Sequence, residues 1–201
     1  MLSKTRIAVL VSGTGTNLQA LLDSNLCSGE IVLVLSSSPE AFALQRAKRA
    51  GIPAASVDRQ EYATRAEFEA ALLEMLGECD AELIVLAGFM CILSAEFVSK
   101  YPGRIVNVHP SLIPSFCGVG YYGLKVHKAA LDYGVKVTGA TVHLVNEVPD
   151  GGKILLQRAV DVLEGDTPEK LQRRVMEQAE WEILPKAVEM LASRIAKEKQ
   201  L

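Results

Sequence analysis

Short runs of apolar residues alternate along the chain with segments in which apolar side chains recur at helical spacing. The four clearest runs occupy residues 7–11, 31–35, 83–87 and 104–108. Their β-branched and almost uninterrupted apolar composition is typical of strands buried on both faces of a parallel sheet. Because helical patterns follow the first three runs, the chain predicts βαβ units. The expected fold class is α/β, with a doubly wound, mostly parallel sheet flanked by helices.

Apolar stripes and end signals predict the helices that connect these strands. They are expected after residue 17 up to about Gly29, at 41–50, at 64–76, after Ser94, and at 125–133. Thr64 and Glu67 have the spacing of a capping box, and Gly77 is expected to end that helix. Pro53 lacks a backbone N–H, so the weak strand at 52–57 is expected near an edge of the sheet.

The pattern changes in the last third of the chain. Residues 137–145 alternate between apolar and polar, which places Thr141 and His143 on one face of a strand. A turn at 146–152 leads into a final strand at 154–160. The two strands are therefore predicted to pair as a hairpin, an antiparallel addition near the C-terminal half of the sheet.

The last helix is expected to start at Thr167, with Pro168 at its first position. Its buried side is predicted to carry Leu171, Val175 and Ala179. Pro185 predicts a kink or break, because proline cannot donate the helical hydrogen bond. The charged tail from Arg194 is expected to fray.

Composition narrows the classes of function. A chain of 201 residues predicts a single domain spanning 1–201. The net charge of −3 and the absence of a basic block argue against nucleic acid or an anionic membrane as a partner. No apolar run reaches membrane-spanning length, and the N-terminus does not have the pattern of a signal peptide.

The cysteines and histidines point to a reducing compartment and away from a metal site. Four cysteines are dispersed without framework spacing: Cys27, Cys79, Cys91 and Cys117. Reduced thiols in the cytoplasm are therefore expected. None of the three histidines is three to five residues from another, so no metal is predicted, although histidine with carboxylate ligands stays an alternative.

A glycine-rich turn at Ser12–Asn17 joins the first strand to the first helix. In that context backbone N–H groups and a helix N-terminus can cradle a phosphate. A dinucleotide fingerprint would have glycine where Leu18 stands, and the serines at 36–38 offer no acid for a ribose diol. A P-loop lysine is also missing. The turn favours a phosphate monoester over NAD or ATP, with a plain tight turn as the alternative.

Asn107 and His109 interrupt the apolar strand at 104–108 and its end. Their spacing puts both side chains on one face of the strand, and Pro110 holds His109 in an extended backbone. Such a polar pair is either satisfied by loop backbone or used in chemistry. The apolar segment 88–93 follows the neighbouring strand and either packs inward or lines a pocket for a flat ligand.

Together these motifs resemble the phosphoribosylglycinamide formyltransferase family, which are folate-dependent enzymes of purine synthesis. The resemblance extends over nearly the whole chain, up to the helix around Glu180. It is carried by Ser12–Asn17, Leu86–Met90, Asn107–Pro114 and Asp150–Gly152. The His-Pro-Ser-Leu core at 109–112 is shared by the wider formyltransferase family. The turn at 12–17 and the short length narrow the resemblance to the phosphoribosylglycinamide formyltransferases.

The resemblance implies a reaction and its partners. The formyl group of 10-formyltetrahydrofolate, a cosubstrate, would pass to the amine of 5-phosphoribosylglycinamide without a metal. The implied partners are these small molecules, and the implied assembly is a monomer or a homodimer. A phosphate-binding half at about 1–103 and a folate and catalytic half at about 104–193 are expected.

The resemblance also implies roles for individual residues. The implied catalytic group is Asn107, His109 and Asp150. The implied phosphate ligands are Gly15, Thr16 and Asn17, with Glu180 on the substrate ribose. The implied folate contacts are Arg65, Met90, Cys91, Ile92 and Leu93, together with Asn107. Cys91 stands where relatives often have arginine, Trp181 where they often have histidine, and the loop with Tyr121–Gly123 looks longer than in many members.

The chemistry of these residues fits formyl transfer. A cationic imidazole can stabilise an oxyanion or protonate the departing folate nitrogen, and a nearby carboxylate favours that cation. We assign that carboxylate to Asp150, with Asp161 and Asp166 as rivals. Asn107 is expected to donate to the oxyanion. His143 is either a structural histidine or a supporting partner, and Cys117 is discounted as a nucleophile because nothing nearby in sequence lowers its pKa.

Four other functions compete with this interpretation. An NAD-dependent oxidoreductase is disfavoured by Leu18 and the serines at 36–38. A non-catalytic phosphosugar-binding module would not need Asn107 and His109 on one strand face. Methionyl-tRNA formyltransferase would want a further domain and a basic surface. Formyl-tetrahydrofolate hydrolase would need an additional N-terminal regulatory domain.

Overall fold

The computed structural model describes residues 3–200, and their strands form one mixed sheet. The strands are β1 (Thr5–Val11), β2 (Gly29–Ser36), β3 (Ala54–Ser56), β4 (Leu83–Leu86), β5 (Ile105–His109), β6 (Val137–Leu144) and β7 (Ile154–Asp161). Their order across the sheet is β3-β2-β1-β4-β5-β6-β7. Strands β1 to β5 pair in parallel, and β6 and β7 are added antiparallel. The predicted fold class, the hairpin and the edge position of the Pro53 segment are confirmed.

Helices cover both faces of the sheet. They are α1 (Thr16–Asp23), α2 (Phe42–Arg49), α3 (Arg65–Glu78), α4 (Ala95–Lys100), α5 (Leu124–Tyr133), α6 (Pro168–Val175) and α7 (Trp181–Glu198). Side chains of β1 alternate between two cores, since Ile7 and Val9 pack with one set of helices and Ala8 and Leu10 with the other. Both cores are buried, which explains why the parallel strands are almost entirely apolar.

Two predicted helix ends are wrong. α1 ends at Asp23 rather than near Gly29, because the extended Ser24 returns its N–H and its hydroxyl to the carbonyl of Leu21. α3 begins with the predicted capping box of Thr64 and Glu67 but runs past Gly77 to Glu78. The left-handed residue that closes it is Asp80, with φ of 46°. A short polar side chain tolerates that conformation, so glycine is not required there.

The C-terminal helix also departs from the expectation. The chain is not broken at Pro185, which lies inside α7 and is buried. A wide π turn at Met176–Glu180 precedes α7 instead. Pro185 cannot donate to the carbonyl of Trp181 four residues earlier, yet α7 continues through it. The tail from Arg194 is helical to Glu198 because Ile195 is buried against the sheet core.

Candidate active site

The carboxyl ends of three neighbouring parallel strands define the candidate site. Leu10, Leu86 and Asn107 lie side by side in β1, β4 and β5. Two strand spacings separate the first from the last, about 10 Å. The predicted phosphate turn, apolar loop and histidine segment follow these strand ends, so the fold gathers them at one edge. Ser12 links two of them, because its Oγ accepts the backbone N–H of Met90 at 2.9 Å.

Asn107 and His143 face each other across β5 and β6. The register pairs these two residues directly, so their side chains share a face of the sheet. Asn107 Nδ2 lies 3.2 Å from His143 Nε2, and His143 Nδ1 lies 2.9 Å from the carbonyl of Leu144. The carbonyl can only accept, so Nδ1 carries a proton. Nε2 accepts from the Asn107 amide when it is unprotonated, and it donates toward Asp150 when it carries a proton. The second amide hydrogen of Asn107 is left for another acceptor.

His109 is buried and held from both sides of its ring. Its Nε2 lies 2.9 Å from the carbonyl oxygen of Phe116, and its Nδ1 lies 3.5 Å from Asp150 Oδ2. Both partners are acceptors, so both interactions are satisfied together when the ring carries two protons. Phe116 has φ of 51°, a left-handed backbone that is uncommon for an aromatic residue and that brings its carbonyl to the ring.

Asp150 reaches His109 through its backbone conformation, also left-handed with φ of 56°. Its Oδ2 accepts the backbone N–H of Gly118 at 2.8 Å, and its Oδ1 lies 3.6 Å from His143 Nε2. Burial raises the pKa of Asp150, but His143, the charge of His109 and the Gly118 N–H together outweigh it and leave that pKa below its usual value. The carboxylate therefore stays ionised beside the two rings.

The two rival carboxylates lie elsewhere, and the rival thiol is unreactive. Asp166 forms a two-pronged ion pair with Arg174, at 2.5 and 2.7 Å. Asp161 is exposed at the end of β7. Burial raises the pKa of the Cys117 thiol, and the charge of Asp150 raises it further, so this thiol is a poor nucleophile.

The glycine-rich turn at Ser12–Asn17 joins β1 to α1 as its sequence predicts. Gly15 caps α1 with φ of 72°, and a Cβ there would lie 2.6 Å from the Cβ of Ala43. Only glycine fits this position. Thr16 and Asn17 form the first turn of α1, which has no acidic residue. The free backbone N–H groups of that turn can therefore receive an anion.

Asn17 also connects the turn to Glu180. Its Nδ2 donates to Glu180 Oε2 at 2.6 Å, and Glu180 is only 6% exposed. Burial raises the pKa of Glu180 to about 7, and the hydrogen bond from Asn17 offsets only part of that effect. The structure thus brings together the predicted phosphate and ribose residues.

The predicted folate residues surround one loop. Met90 and Ile92 are each 55% exposed, Cys91 is half-buried and Leu93 is buried. Arg65 is exposed at the start of α3, where it pairs with Glu69 at 3.8 Å. Glu69 in turn accepts hydrogen bonds from the backbone and the hydroxyl of Ser94, the residue that follows the loop. Arg65 therefore lies beside the loop, with its charge available to a ligand.

Sequence reasoning missed three groups around His109. The Phe116 carbonyl and the Gly118 N–H are backbone groups, which residue types do not reveal. His127 on α5 is buried, and neither of its ring nitrogens has a hydrogen-bond partner within residues 3–200. Burial and the nearby His109 lower the pKa of His127 to about 4. Its position on the buried stripe of α5 was the only signal in the sequence.

A cavity of about 870 Å³ opens between α1 and α7, separate from the apolar loop. It is lined in part by Thr16, Arg46, Trp181 and Met190. The Trp181 Nε1 is buried and has no hydrogen-bond partner in the described part of the chain. Within residues 3–200 the structure shows no cluster of three potential metal ligands. No helix in that range is long and apolar enough to cross a membrane.

The raised pKa of Glu180 predicts a pH-dependent stability. Its folded pKa of about 7 exceeds the ordinary glutamate value of 4.5, so the folded state holds the proton more tightly. The free energy of unfolding therefore falls as pH rises from about 4.5 to 7, by about 3 kcal/mol from this group. Glu180→Gln, neutral throughout, should be more stable than wild type at about pH 8 and nearly equal at about pH 4.5. Urea unfolding at both pH values measures the difference in free energy of unfolding between the variant and wild type. The same difference at both pH values would contradict the prediction.

A family model described as formyl transferase matches residues 5–188 of the chain. The chain therefore belongs to the formyl transferase family, and within it to the phosphoribosylglycinamide formyltransferases. Individual relatives support the assignment to the phosphoribosylglycinamide formyltransferases. A phosphoribosylglycinamide formyltransferase of Haemophilus influenzae is 40% identical over 183 residues, which cover 90% of this chain and 84% of that protein.

A solved structure and a longer relative extend the comparison. The crystal structure of glycinamide ribonucleotide transformylase 1 from Symbiobacterium toebii has a TM-score of 0.87 and 44% identity, covering 94% of this chain and 88% of the other. The trifunctional purine biosynthetic protein adenosine-3 of Gallus gallus is 48% identical over 194 residues, 95% of this chain. The chain spans 19% of that protein's length. The family resemblance seen in the sequence is confirmed.

Proposed function

We propose that the chain transfers the formyl group of 10-formyltetrahydrofolate to the amine of 5-phosphoribosylglycinamide in de novo purine biosynthesis. The products are formylglycinamide ribonucleotide and tetrahydrofolate. The observation that carries the proposal is the arrangement of Asn107, His109 and Asp150 at the sheet edge beside the phosphate turn. The names of the relatives support the choice of both substrates.

The neutral amine nitrogen attacks the formyl carbon and forms a C–N bond, which leaves an oxyanion on the former carbonyl. Asn107 donates its remaining amide hydrogen to this oxyanion. The His109 imidazolium, held at Nδ1 by Asp150, turns its Nε2–H from the Phe116 carbonyl to the reacting group. There it either stabilises the oxyanion or protonates the folate nitrogen as the C–N10 bond breaks. The attacking nitrogen loses its extra proton to water.

The binding residues divide between the two substrates in this proposal. Gly15, Thr16 and Asn17 receive the phosphate, and Glu180 receives the ribose hydroxyls. The folate lies against the loop of Met90, Cys91, Ile92 and Leu93. The chain acts as one formyltransferase domain, with a phosphate-binding half at about 1–103 and a catalytic half at about 104–193. The exposed apolar side chains of the loop support a flat apolar ligand there.

The proposed setting is the cytoplasm, with a monomer or homodimer acting on small molecules alone. All four cysteines are free, which suits a reducing compartment. The cosubstrate is 10-formyltetrahydrofolate, and each proton transfer in the proposed reaction has a side chain or water to serve it.

The function is tested by following tetrahydrofolate release from 10-formyltetrahydrofolate with and without 5-phosphoribosylglycinamide. We expect release only with the amine, and one formylated ribonucleotide for each tetrahydrofolate. Equal release without the amine, with formate as the product, would identify a hydrolase. No release in either condition would reject formyl transfer.

Arg65→Ala should weaken the interaction with the folate and not the chemistry. The exposed guanidinium is placed to meet a folate carboxylate, and losing one such charge-assisted contact costs about 1.5–3 kcal/mol. We expect KM for the formyl-folate to rise by roughly 10- to 100-fold with little change in kcat. Lys100→Ala, which removes an exposed cation from α4, is the matched control. A fall in kcat at unchanged KM would contradict the assignment.

A further inference from the structure

Only one of the two polar groups of the Asn17 side chain has a hydrogen-bond partner among residues 3–200. Asn17 is 9% exposed, its Nδ2 donates to Glu180 Oε2 at 2.6 Å, and its Oδ1 is buried with no hydrogen-bond partner among the described residues. A buried amide oxygen without a donor is costly. Asn17 lies in the first turn of α1, where backbone N–H groups are free. An amide at this place would serve an anion better through its nitrogen than through its oxygen.

Among residues 3–200, no cation perturbs the pKa of Glu180. Glu180 lies in the wide turn before α7, and only burial and Asn17 perturb its pKa. Several charged side chains on the elements that pack around it pair elsewhere. These pairs are Arg158–Glu182 between β7 and α7, Lys186–Glu182 within α7, Arg173–Glu177 between α6 and the wide turn, and His143–Asp150 from β6. On α1, Asp23 accepts from Gln19. The proton equilibrium of Glu180 therefore depends on its partner Asn17.

The Asn17–Glu180 pair has two arrangements that differ by one proton. With Glu180 ionised, Asn17 must turn its Nδ2 to the carboxylate, as in the structure. With Glu180 protonated, its O–H can donate to Oδ1 after a half-turn of the amide. That rotation about χ2 of Asn17 exchanges the amide oxygen and the NH2 group, which are nearly equal in shape. The energy minima of this torsion are broad. The rotation satisfies the oxygen that is otherwise orphaned and moves Nδ2 to the buried place of Oδ1, where the nitrogen lacks a partner in the described part of the chain until an anion supplies one.

We propose that Glu180 takes up a proton when the phosphate turn binds a phosphate monoester, because protonation releases the Asn17 amide nitrogen to the anion. The inference rests on the proposed phosphate site and adds a coupling to it. Protonation also removes a negative charge near the bound phosphate, so both effects act in the same direction. Glu180 is a positioning residue in this role, since it acts on the phosphate through Asn17.

The coupling has a definite sign. The pKa of Glu180 of about 7 leaves the free protein half protonated at neutral pH. Affinity for a phosphate monoester should therefore fall as pH rises above neutrality, by roughly 15-fold between pH 7 and 8.5. Ionisation of the phosphate itself, with a second pKa of about 6, acts in the opposite direction. The two contributions are distinguishable by sign.

The test is calorimetric titration of the full chain with ribose 5-phosphate across that pH range, in buffers of different ionisation enthalpy. Wild type should lose affinity as stated and take up close to one proton per ligand at about pH 8. Glu180→Gln, which keeps the neutral shape, should show no loss and no uptake. Glu182→Gln, an exposed neighbour in α7, is the matched control and should behave as wild type.

The outcomes separate the coupling from the proposed function. Constant or rising wild-type affinity above pH 7, or an equal loss in Glu180→Gln, would overturn the coupling. The proton uptake of wild type decides the matter even if the variant fails to fold. No ribose 5-phosphate binding at any pH would reject the site and the coupling together. Coupled binding in a chain that fails to transfer formyl would support the inference and reject the function.

Discussion

Replacing His109 with alanine should lower the rate of formyl transfer by about 10³- to 10⁴-fold, because one side chain supplies both a positioned proton and a charge. The ring is buried, and its two nitrogens are held by Asp150 and by the Phe116 carbonyl. Removing it leaves the Asp150 carboxylate without its cation. The measurement is single-turnover transfer with both substrates saturating, so that a binding defect does not enter the rate.

Cys117, in the loop that follows β5, provides the control for this prediction. Cys117→Ala removes the rival nucleophile and should leave the rate within a factor of about two, since a thiol with a raised pKa has no part in the mechanism. The His109→Ala variant should still unfold in one cooperative thermal transition and should bind ribose 5-phosphate. A His109→Ala protein with wild-type turnover would remove the ring from the chemistry.

Replacing Asn107 with alanine should lower the rate by about 10²- to 10³-fold, the usual cost of losing one oxyanion donor. His143 holds the amide in place, so the donor is oriented before substrate arrives. Because the oxyanion exists only after attack, the loss should fall on kcat more than on KM. Asn25→Ala, an exposed asparagine outside this constellation, is the control. A loss confined to KM would assign Asn107 to binding alone.

The pattern of apolar and polar residues was sufficient to predict the fold, because the strands that define this fold depend on local signals. Buried parallel strands need continuous apolar runs, and the alternation at 137–145 distinguishes the strand that joins them antiparallel. Helix ends were less predictable, since they depend on competing partners. Gly77 could end α3 but Asp80 does so, and α7 continues through Pro185.

The site was predictable only in part. The placement of Asn107 and His109 on one face follows from strand geometry, and the opposition of Asn107 and His143 follows once the β5–β6 register is known. The approach of Asp150 to His109 depends on a left-handed backbone at residue 150, which spacing does not reveal. That assignment came from the family resemblance. The contact of the Phe116 carbonyl with His109 and the unpartnered, buried ring of His127 are visible only in the three-dimensional structure.

The most direct measurement is the pH dependence of single-turnover formyl transfer in wild type, Asp150→Asn and the exposed control Asp161→Asn. In the proposed mechanism His109 acts as a cation, with its Nδ1 3.5 Å from the Asp150 carboxylate. Neutralising it should move the alkaline fall in rate to lower pH by about one unit or more. Asp161→Asn should follow wild type. Superimposable profiles for wild type and Asp150→Asn would contradict the central claim.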